Sequence, residues 1–302
     1  MHVEKNFDVV VIGNVGIDTN IYLYGNEIDF SVEANFSENL DYVGQAGGYS
    51  ARGFAQLNQK TAFIGYVGQD FGGNFILAEF ARDGINTEGV FIDPAGTSRS
   101  INFMYPDGRR KNFYDGKSHL TLQPDLDRCE QILSRARLAL FHLPNWARFL
   151  LPLAKKHGLI VACDIQDVVD INDPYRQDFI EAADILFFSA VNQATPEKMM
   201  AHILQKYPYK IIVSGMGARG CALGTRSGIE YFDAIPLELP IIDTNGAGDG
   251  LAVGFLTSYI LENYNLHDSI RRGQITARYT CGLKATTSRL ITMEKLDEFL
   301  IF

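Results

Sequence analysis

A chain of 302 residues that is 46% hydrophobic and 21% charged can bury the core of one large α/β domain or two smaller ones. Its formal net charge of −9 works against nucleic acid or an anionic membrane surface as partner, because the average surface would repel both. Cys129, Cys163, Cys221 and Cys281 share no Cys-x-x-Cys spacing, no apolar run reaches membrane-spanning length, and residues 1–7 lack a basic stretch leading into an apolar one, so the expectation is a cytoplasmic protein with reduced thiols.

From the N-terminus, residues 9–12 form a continuous apolar run of the kind found in strands buried on both faces. Gly13-Asn14-Val15-Gly16-Ile17-Asp18 follows directly and sets Asp18 just past a strand's carboxyl end, where open α/β sheets bind ligands. A carboxylate there can accept two hydroxyl hydrogen bonds, or it can close its own turn. Residues 19–42 alternate as strands do, with no helix between them, and residues 98–114 do the same around the Asp107-Gly108 turn. Both stretches read as β segments outside the main sheet or as surface hairpins. Between them Gly47-Gly48 leads into a helix over 51–57, a strand at 62–65 and a helix over 71–82. Paired glycines make turns, and they also let backbone amides approach a ligand closely.

Further along, helical patterns at 124–134, 147–157 and 196–205 alternate with apolar runs at 138–141, 159–162, 185–188 and 211–213. This alternation predicts a mainly parallel sheet with helices on both faces, and no repeat or low-complexity linker divides residues 1–302, which read as one domain. Gly215-Met216-Gly217-Ala218-Arg219-Gly220 spells a dinucleotide fingerprint, but residues 221–232, broken by Gly224 and Gly228, read as a hairpin instead of the helix that fingerprint needs. This context argues against hydride transfer, and the absence of any Gly-x-x-x-x-Gly-Lys-Ser/Thr run excludes a P-loop kinase.

The most informative stretch is Asp243 to Gly250, Asp-Thr-Asn-Gly-Ala-Gly-Asp-Gly, which opens a helix whose apolar face is Leu251, Ala252, Phe255, Leu256, Tyr259 and Ile260. Free amides at Gly246, Ala247 and Gly248, together with the positive end of the helix, suit a phosphate or a developing phosphoryl charge. Asp249 stands in the same first turn, where it can take a proton from an acceptor hydroxyl or simply complement the helix dipole. The helix terminus is expected to keep it ionised with a modest proton affinity.

This octet, with Leu-Ala-Val-Gly-Phe after it, resembles the C-terminal signature of the ribokinase-like (pfkB) family of carbohydrate kinases, Asp-Thr-x-Gly-Ala-Gly-Asp followed by a helix. Gly47 to Ala55 is similar to the family's N-terminal signature, Gly-Gly-x-x-x-Asn-x-Ala, departing from it at Arg52 and Phe54. The resemblance covers the whole chain in matching order. It implies a ribokinase-like α/β fold with a small β lid made from 19–42 and 98–114, a lid that covers the sugar and can serve as a homodimer surface. It implies ATP and Mg²⁺ as cofactors, with K⁺ as an additional ion that Asp243 helps to hold. Asp249 would be the general base, with Gly246, Ala247 and Gly248 as the anion hole. Asp18, Gly47, Gly48 and Asn14 would bind substrate, and Arg52 stands where the family reads a substrate hydroxyl. Ser214 and the Gly217 to Gly220 turn would line the ATP site. Gln274, on a helix over 270–284, would flank the adenine or lie exposed.

Where the family carries Asn-x-x-Glu for Mg²⁺, this chain has Asn192, leaving Asp164 or Asp167 to compensate. The implied reaction is transfer of the ATP γ-phosphoryl group to a hydroxyl of a monosaccharide. A nucleoside kinase, or a sugar- or nucleotide-binding regulator on a kinase scaffold, are the alternatives. Arg52 either reads an anionic group on the substrate, or turns outward or pairs with an acid such as Glu33 or Asp70.

Overall fold

A computed structural model describes residues 4–300 apart from 169, 171, 194, 286 and 288. The apolar run at 9–12 becomes β1 (Phe7–Ile12), and its side chains divide by parity. Val9 and Val11 enter one core while Val10 and Ile12 enter the other. Alternate residues of a strand point to opposite faces, so a strand apolar throughout must be covered on both. Each such fully buried side chain contributes about 1.5–3 kcal/mol.

Around β1 a nine-stranded sheet is built from β4 (Thr61–Val67), β5 (Asn86–Ile92), β8 (Ala136–Phe141), β9 (Ile160–Asp167), β10 (Ile185–Ser189), β11 (Ile211–Gly215), β12 (Cys221–Thr225) and β13 (Gly228–Phe232). The order is β13-β12-β11-β10-β9-β8-β1-β4-β5, parallel except at β12 and β13, which return as the expected hairpin. A second sheet of β3 (Ser37–Gly44), β2 (Gly16–Leu23), β6 (Ser98–Met104) and β7 (Arg110–Asp115), in that order, forms the lid where 19–42 and 98–114 were expected to lie.

One face of the large sheet is covered by α1 (Gln45–Gln56), α2 (Phe71–Arg82), α7 (Ala247–Leu256) and α8 (Leu266–Thr280), whose Phe54, Phe80, Phe255 and Ile275 are fully buried. The other is covered by α3 (Leu126–Leu133), α4 (Leu151–Lys156), α5 (Pro174–Ala182) and α6 (Glu197–Lys206). A short α9 (Met293–Glu298) closes the described chain. Among the described residues no helix is long and apolar enough to cross a membrane.

Several elements depart from the sequence reading for local reasons. β5 is an edge strand with a single fully buried residue, Val90 being only partly covered, so it shows no continuous apolar run. The helix expected over 147–157 is a 3₁₀ turn, Asn145–Leu150, followed by α4, because Pro152 cannot donate the hydrogen bond that would continue an α-helix through it. α1 starts at Gln45 instead of 51, so the glycine pair lies inside its first turns.

The topology fixes where chemistry can occur. The connections after β1 run to β4 and β5 on one side, while β8 starts the series that runs the other way. Loops at the carboxyl ends of β1 and β8 therefore diverge and leave a crevice, the usual ligand position in an open α/β sheet.

Candidate active site

Helix α7 ends in that crevice. Gly246, its N-cap, has φ +74, and a Cβ there would lie 2.4 Å from the Tyr49 ring, so both backbone and space demand glycine. No side chain caps the helix. Among the described residues the Gly246 and Gly248 amides have no acceptor, whereas the Ala247 amide donates to the Thr244 carbonyl at 3.3 Å. A Cβ on Gly248 would meet nothing within 4 Å, so the space beside it is open. The amides left without an acceptor at this helix start are thus those of the two glycines, with Ala247 occupied by the turn.

Asp249 sits one residue further along, and its Oδ1 is withdrawn from solvent without a hydrogen-bond partner. Burial first, then the neighbouring Asp164 carboxylate, pushes its proton affinity well above the ordinary carboxylate range, with Asp18 adding to the repulsion and a hydrogen bond from Ser50 on α1 opposing it. The expectation of a modest proton affinity is therefore corrected. The helix terminus favours the anion by a screened partial charge, and desolvation beside a second carboxylate outweighs it.

Two residues reach the same point from strand ends. His142 follows β8 and Asp164 lies in β9. One donor atom from each of His142, Asp164 and Asp249 falls within 4.8 Å of the others. Burial raises Asp164 to about 6 and lowers His142 to about 3, so the imidazole is neutral at physiological pH. The His142 Nε2 lies 3.0 Å from the Ser50 hydroxyl. A lone histidine after an apolar run gives no signal by itself, which is why sequence reasoning missed His142 and Ser50. The one clue is position, a polar residue immediately after a buried parallel strand.

Asp18, on β2, faces the crevice from the lid. Its Oδ2 accepts from the Tyr49 hydroxyl at 3.3 Å and the Gln45 amide at 3.5 Å, while its buried Oδ1 has no partner. Burial raises Asp18 to about 6. A Cβ on Gly44 would stand 2.0 Å from the Asp18 carboxyl carbon, so the β3 backbone packs directly on this group.

Strand register puts Asp18, Asn20 and Tyr22 on one face with Ser100, Asn102 and Met104 of β6 and with Tyr114, Asn112 and Arg110 of β7. On this face the amides form a ladder: Asn112 donates to Asn102 at 2.8 Å, Asn102 to Asn20 at 2.9 Å, and Asn20 to Asp243 at 2.6 Å. Asp243 also accepts from the Tyr22 hydroxyl at 3.1 Å and the Asn245 amide at 2.8 Å. Arg110 donates to the Asn245 side chain, and Asn14 donates to the Tyr114 hydroxyl at 2.7 Å. The lid is thereby tied to the loop that leads into the Gly246 amides.

The remaining expected positions fall elsewhere. Arg52 does not face the crevice as a free cation. Its Nε donates to Asp83 at 2.5 Å, one terminal nitrogen to Glu79 at 3.0 Å and the other to Thr287 at 3.4 Å, in a site where Arg52 is 6% exposed. Its carboxylate partners belong to or follow α2, and neither Glu33 nor Asp70 is among them. The Gly47 amide donates to the Asn14 carbonyl at 2.9 Å, and a Cβ on Gly47 or Gly48 would press on Asn14 or on Val15 and Val43. The glycine pair therefore seats α1 against the β1 loop, and the Gly47 amide is not open to a sugar. Asp243 gathers donors, which makes it a tether for the lid in this arrangement.

On the β11 side, Ser214 is fully buried and its hydroxyl has no partner. Gly217 and Gly220 form a 3₁₀ turn with φ +61 and +89, and a Cβ on Gly220 would strike the Phe232 carbonyl at 2.0 Å. Gln274 turns its amide onto the Asp233 carbonyl at 3.0 Å and the Cys221 sulfur at 3.3 Å, so it fastens the β12–β13 hairpin instead of lying exposed. Asn192 donates to Asp167 at 2.9 Å, which places a carboxylate beside the position where the family's Glu is missing.

This arrangement is that of the ribokinase-like proteins. The ribokinase of Arabidopsis thaliana, solved with ribose and ATP, matches with a TM-score of 0.81 at 20% identity over 98% of this chain and 99% of that one. Residues 6–293 match the pattern described as pfkB family carbohydrate kinase, and the chain belongs to that family. It is a sugar kinase, a phosphotransferase to an alcohol acceptor, and kinases of this family use ATP and Mg²⁺. An acarbose 7(IV)-phosphotransferase from an Actinoplanes strain is 27% identical over 95% of this chain and 96% of its own length. A 5-dehydro-2-deoxygluconokinase from Geobacillus thermodenitrificans is 26% identical over 98% and 94%. The structure of a microbiome-derived acarbose kinase, Mak1, matches with a TM-score of 0.89 at 26% identity over 98% of this chain and all of that one.

Proposed function

We propose that this kinase transfers the ATP γ-phosphoryl group to a hydroxyl of an uncharged saccharide, with Asp249 as general base. The observation that carries the reading is the buried, unbonded Oδ1 of Asp249 beside the acceptor-free amides of Gly246 and Gly248. A raised proton affinity suits a base that must take a hydroxyl proton as the phosphoryl group leaves. The glycine amides hold the transferring charge without reorganising, because the helix fixes them in advance. Asp18, whose Oδ1 is equally unbonded, accepts a second hydroxyl and orients the saccharide.

Bound ATP with Mg²⁺ supplies the transferred group and neutralises its charge. The unpartnered Ser214 hydroxyl and the Gly217 to Gly220 turn fit the nucleotide, and the Asp167 and Asn192 pair fits the water shell of the metal. K⁺ has less support, since Asp243 is engaged with Asn20, Tyr22 and Asn245. An uncharged acceptor follows from Arg52, whose guanidinium already faces two carboxylates. The lid excludes water that would otherwise compete for the phosphoryl group.

A coupled assay of ADP release tests this over neutral monosaccharides, acarbose, 5-dehydro-2-deoxygluconate, sugar phosphates and nucleosides. Turnover with a neutral saccharide is expected. Turnover confined to nucleosides or to anionic sugars overturns the substrate assignment.

A further inference from the structure

Behind the unbonded oxygen of Asp249 lies a group of side chains that phosphoryl transfer does not account for. His142, Asp164 and Asp249 bring one donor atom each to within 4.8 Å of one another. His142 and Asp164 are 1% and 8% exposed, so the group is closed off except on the crevice side. Two of its atoms, the His142 Nδ1 and the Asp249 Oδ1, are fully withdrawn from solvent and have no hydrogen-bond partner.

Asp164 and Asp249 repel one another, and neither forms an ion pair among the described residues. Two carboxyl groups and an imidazole crowded this closely, with no basic side chain among them, form a donor set that a single divalent ion satisfies. The donor chemistry then selects the ion. Mg²⁺ takes oxygen ligands and keeps much of its water, whereas imidazole with carboxylates is a donor set for Zn²⁺ and for Co²⁺ or Ni²⁺. The surroundings of His142 agree. The Nδ1 has no partner and the Nε2 meets the Ser50 hydroxyl at 3.0 Å, so a nitrogen is left to ligate; in metal-bound histidines a hydrogen bond at the second nitrogen fixes tautomer and ring orientation.

We propose that His142, Asp164 and Asp249 form a binding site for a zinc-class divalent ion, distinct from the Mg²⁺ that accompanies the nucleotide, and that its occupancy competes with the acceptor saccharide for Asp249. An ion held there takes up the carboxylate oxygen that would accept the hydroxyl proton, so the occupied enzyme is inhibited. The inhibition rests on Asp249 being the base. The binding does not.

The test uses the full chain, without nucleotide or sugar, in millimolar Mg²⁺. Calorimetry with Zn²⁺ is expected to show one site, and His142→Asn and Asp164→Asn are each expected to weaken it at least about tenfold. Circular dichroism checks that each variant is folded; if His142→Asn is not, Asp164→Asn and Asp249→Asn carry the comparison. Co²⁺ in place of Zn²⁺ should give visible absorption bands without a thiolate charge-transfer band. A thiolate band, no Zn²⁺ binding, or variants that bind as the native chain does would each overturn the site. Kinetics then separate the two clauses: Zn²⁺ inhibition should be relieved by excess saccharide. Stoichiometric binding without inhibition of an active enzyme overturns the competition and the assignment of Asp249 as base, and leaves the metal site standing.

Discussion

Asp249 combines a local signal with an environment that only the fold creates. Asp249→Asn keeps the shape and removes the proton acceptor, so turnover should fall at least about a hundredfold with ATP binding retained. A second consequence concerns stability. Because burial and Asp164 raise the folded-state proton affinity of Asp249, the folded chain holds that proton more tightly than the unfolded one. The contribution is favourable at low pH and is lost as pH rises from the ordinary carboxylate value of about 4 toward the raised one. Asp249→Asn should therefore melt at a higher temperature than the native chain at pH 8, and the difference should shrink toward pH 4; a variant no more stable at pH 8 contradicts the raised affinity.

Asp18 titrates in an accessible range. Asp18→Ala should weaken saccharide binding by roughly 2–4 kcal/mol in calorimetry and leave nucleotide affinity unchanged. In the native enzyme saccharide affinity should fall as pH drops through about 6, where Asp18 gains a proton and gives up acceptor capacity. Arg52 was not legible in the same way. Its partners Glu79 and Asp83 lie 27 and 31 residues away, and only the fold, which lays α1 and α2 on the same face of the large sheet, brings them together. Arg52→Met strips Asp83 of its ion pair and leaves Glu79 with Arg82 alone, and should cost about 3–5 kcal/mol in denaturant unfolding, with no change in preference between neutral and anionic acceptors.

At the scale of elements, what could be read was whatever local pattern dictates. The apolar runs of β1, β8 and β10 announced a sheet buried on both sides, and the alternation of the lid strands announced a second sheet. β5 and α5 gave little signal because each buries little; α5 has Phe179 and Ile180 as its buried residues. The seating of the lid was not readable either, since the ladder from Asn112 to Asp243 depends on two strand registers and a distant loop at once. The turn before α7 tests how far that seating depends on one backbone conformation. Gly246→Ala must adopt φ +74 and meet the Tyr49 ring, so it should lose about 1–3 kcal/mol of stability in chemical denaturation and most of its turnover. Retained activity would show that the amides can be aimed from another geometry.

For the whole molecule, register places Ile101 and Phe113 on the side of the lid away from Asp18, where they are 36% and 55% exposed. We propose this side as a homodimer surface. Sedimentation of the native chain should show a dimer that Phe113→Lys shifts to monomer, and an unchanged profile would place any dimer elsewhere.

The position of β1 also governs how the protein can be made. The ribosome delivers β1, the third strand from one edge of the large sheet, first, and its neighbours β4 and β8 later. The lid strands all emerge before β8, so the cover of the crevice exists before its far wall. Helix α7 comes later still, and until it settles on α1 the side of α1 that carries Tyr49 and Gly53 lacks the helix that covers it. Nascent chains of this enzyme therefore carry a sticky, half-built crevice for most of their synthesis, and a message truncated before α7 yields a product fit for chaperones and proteases.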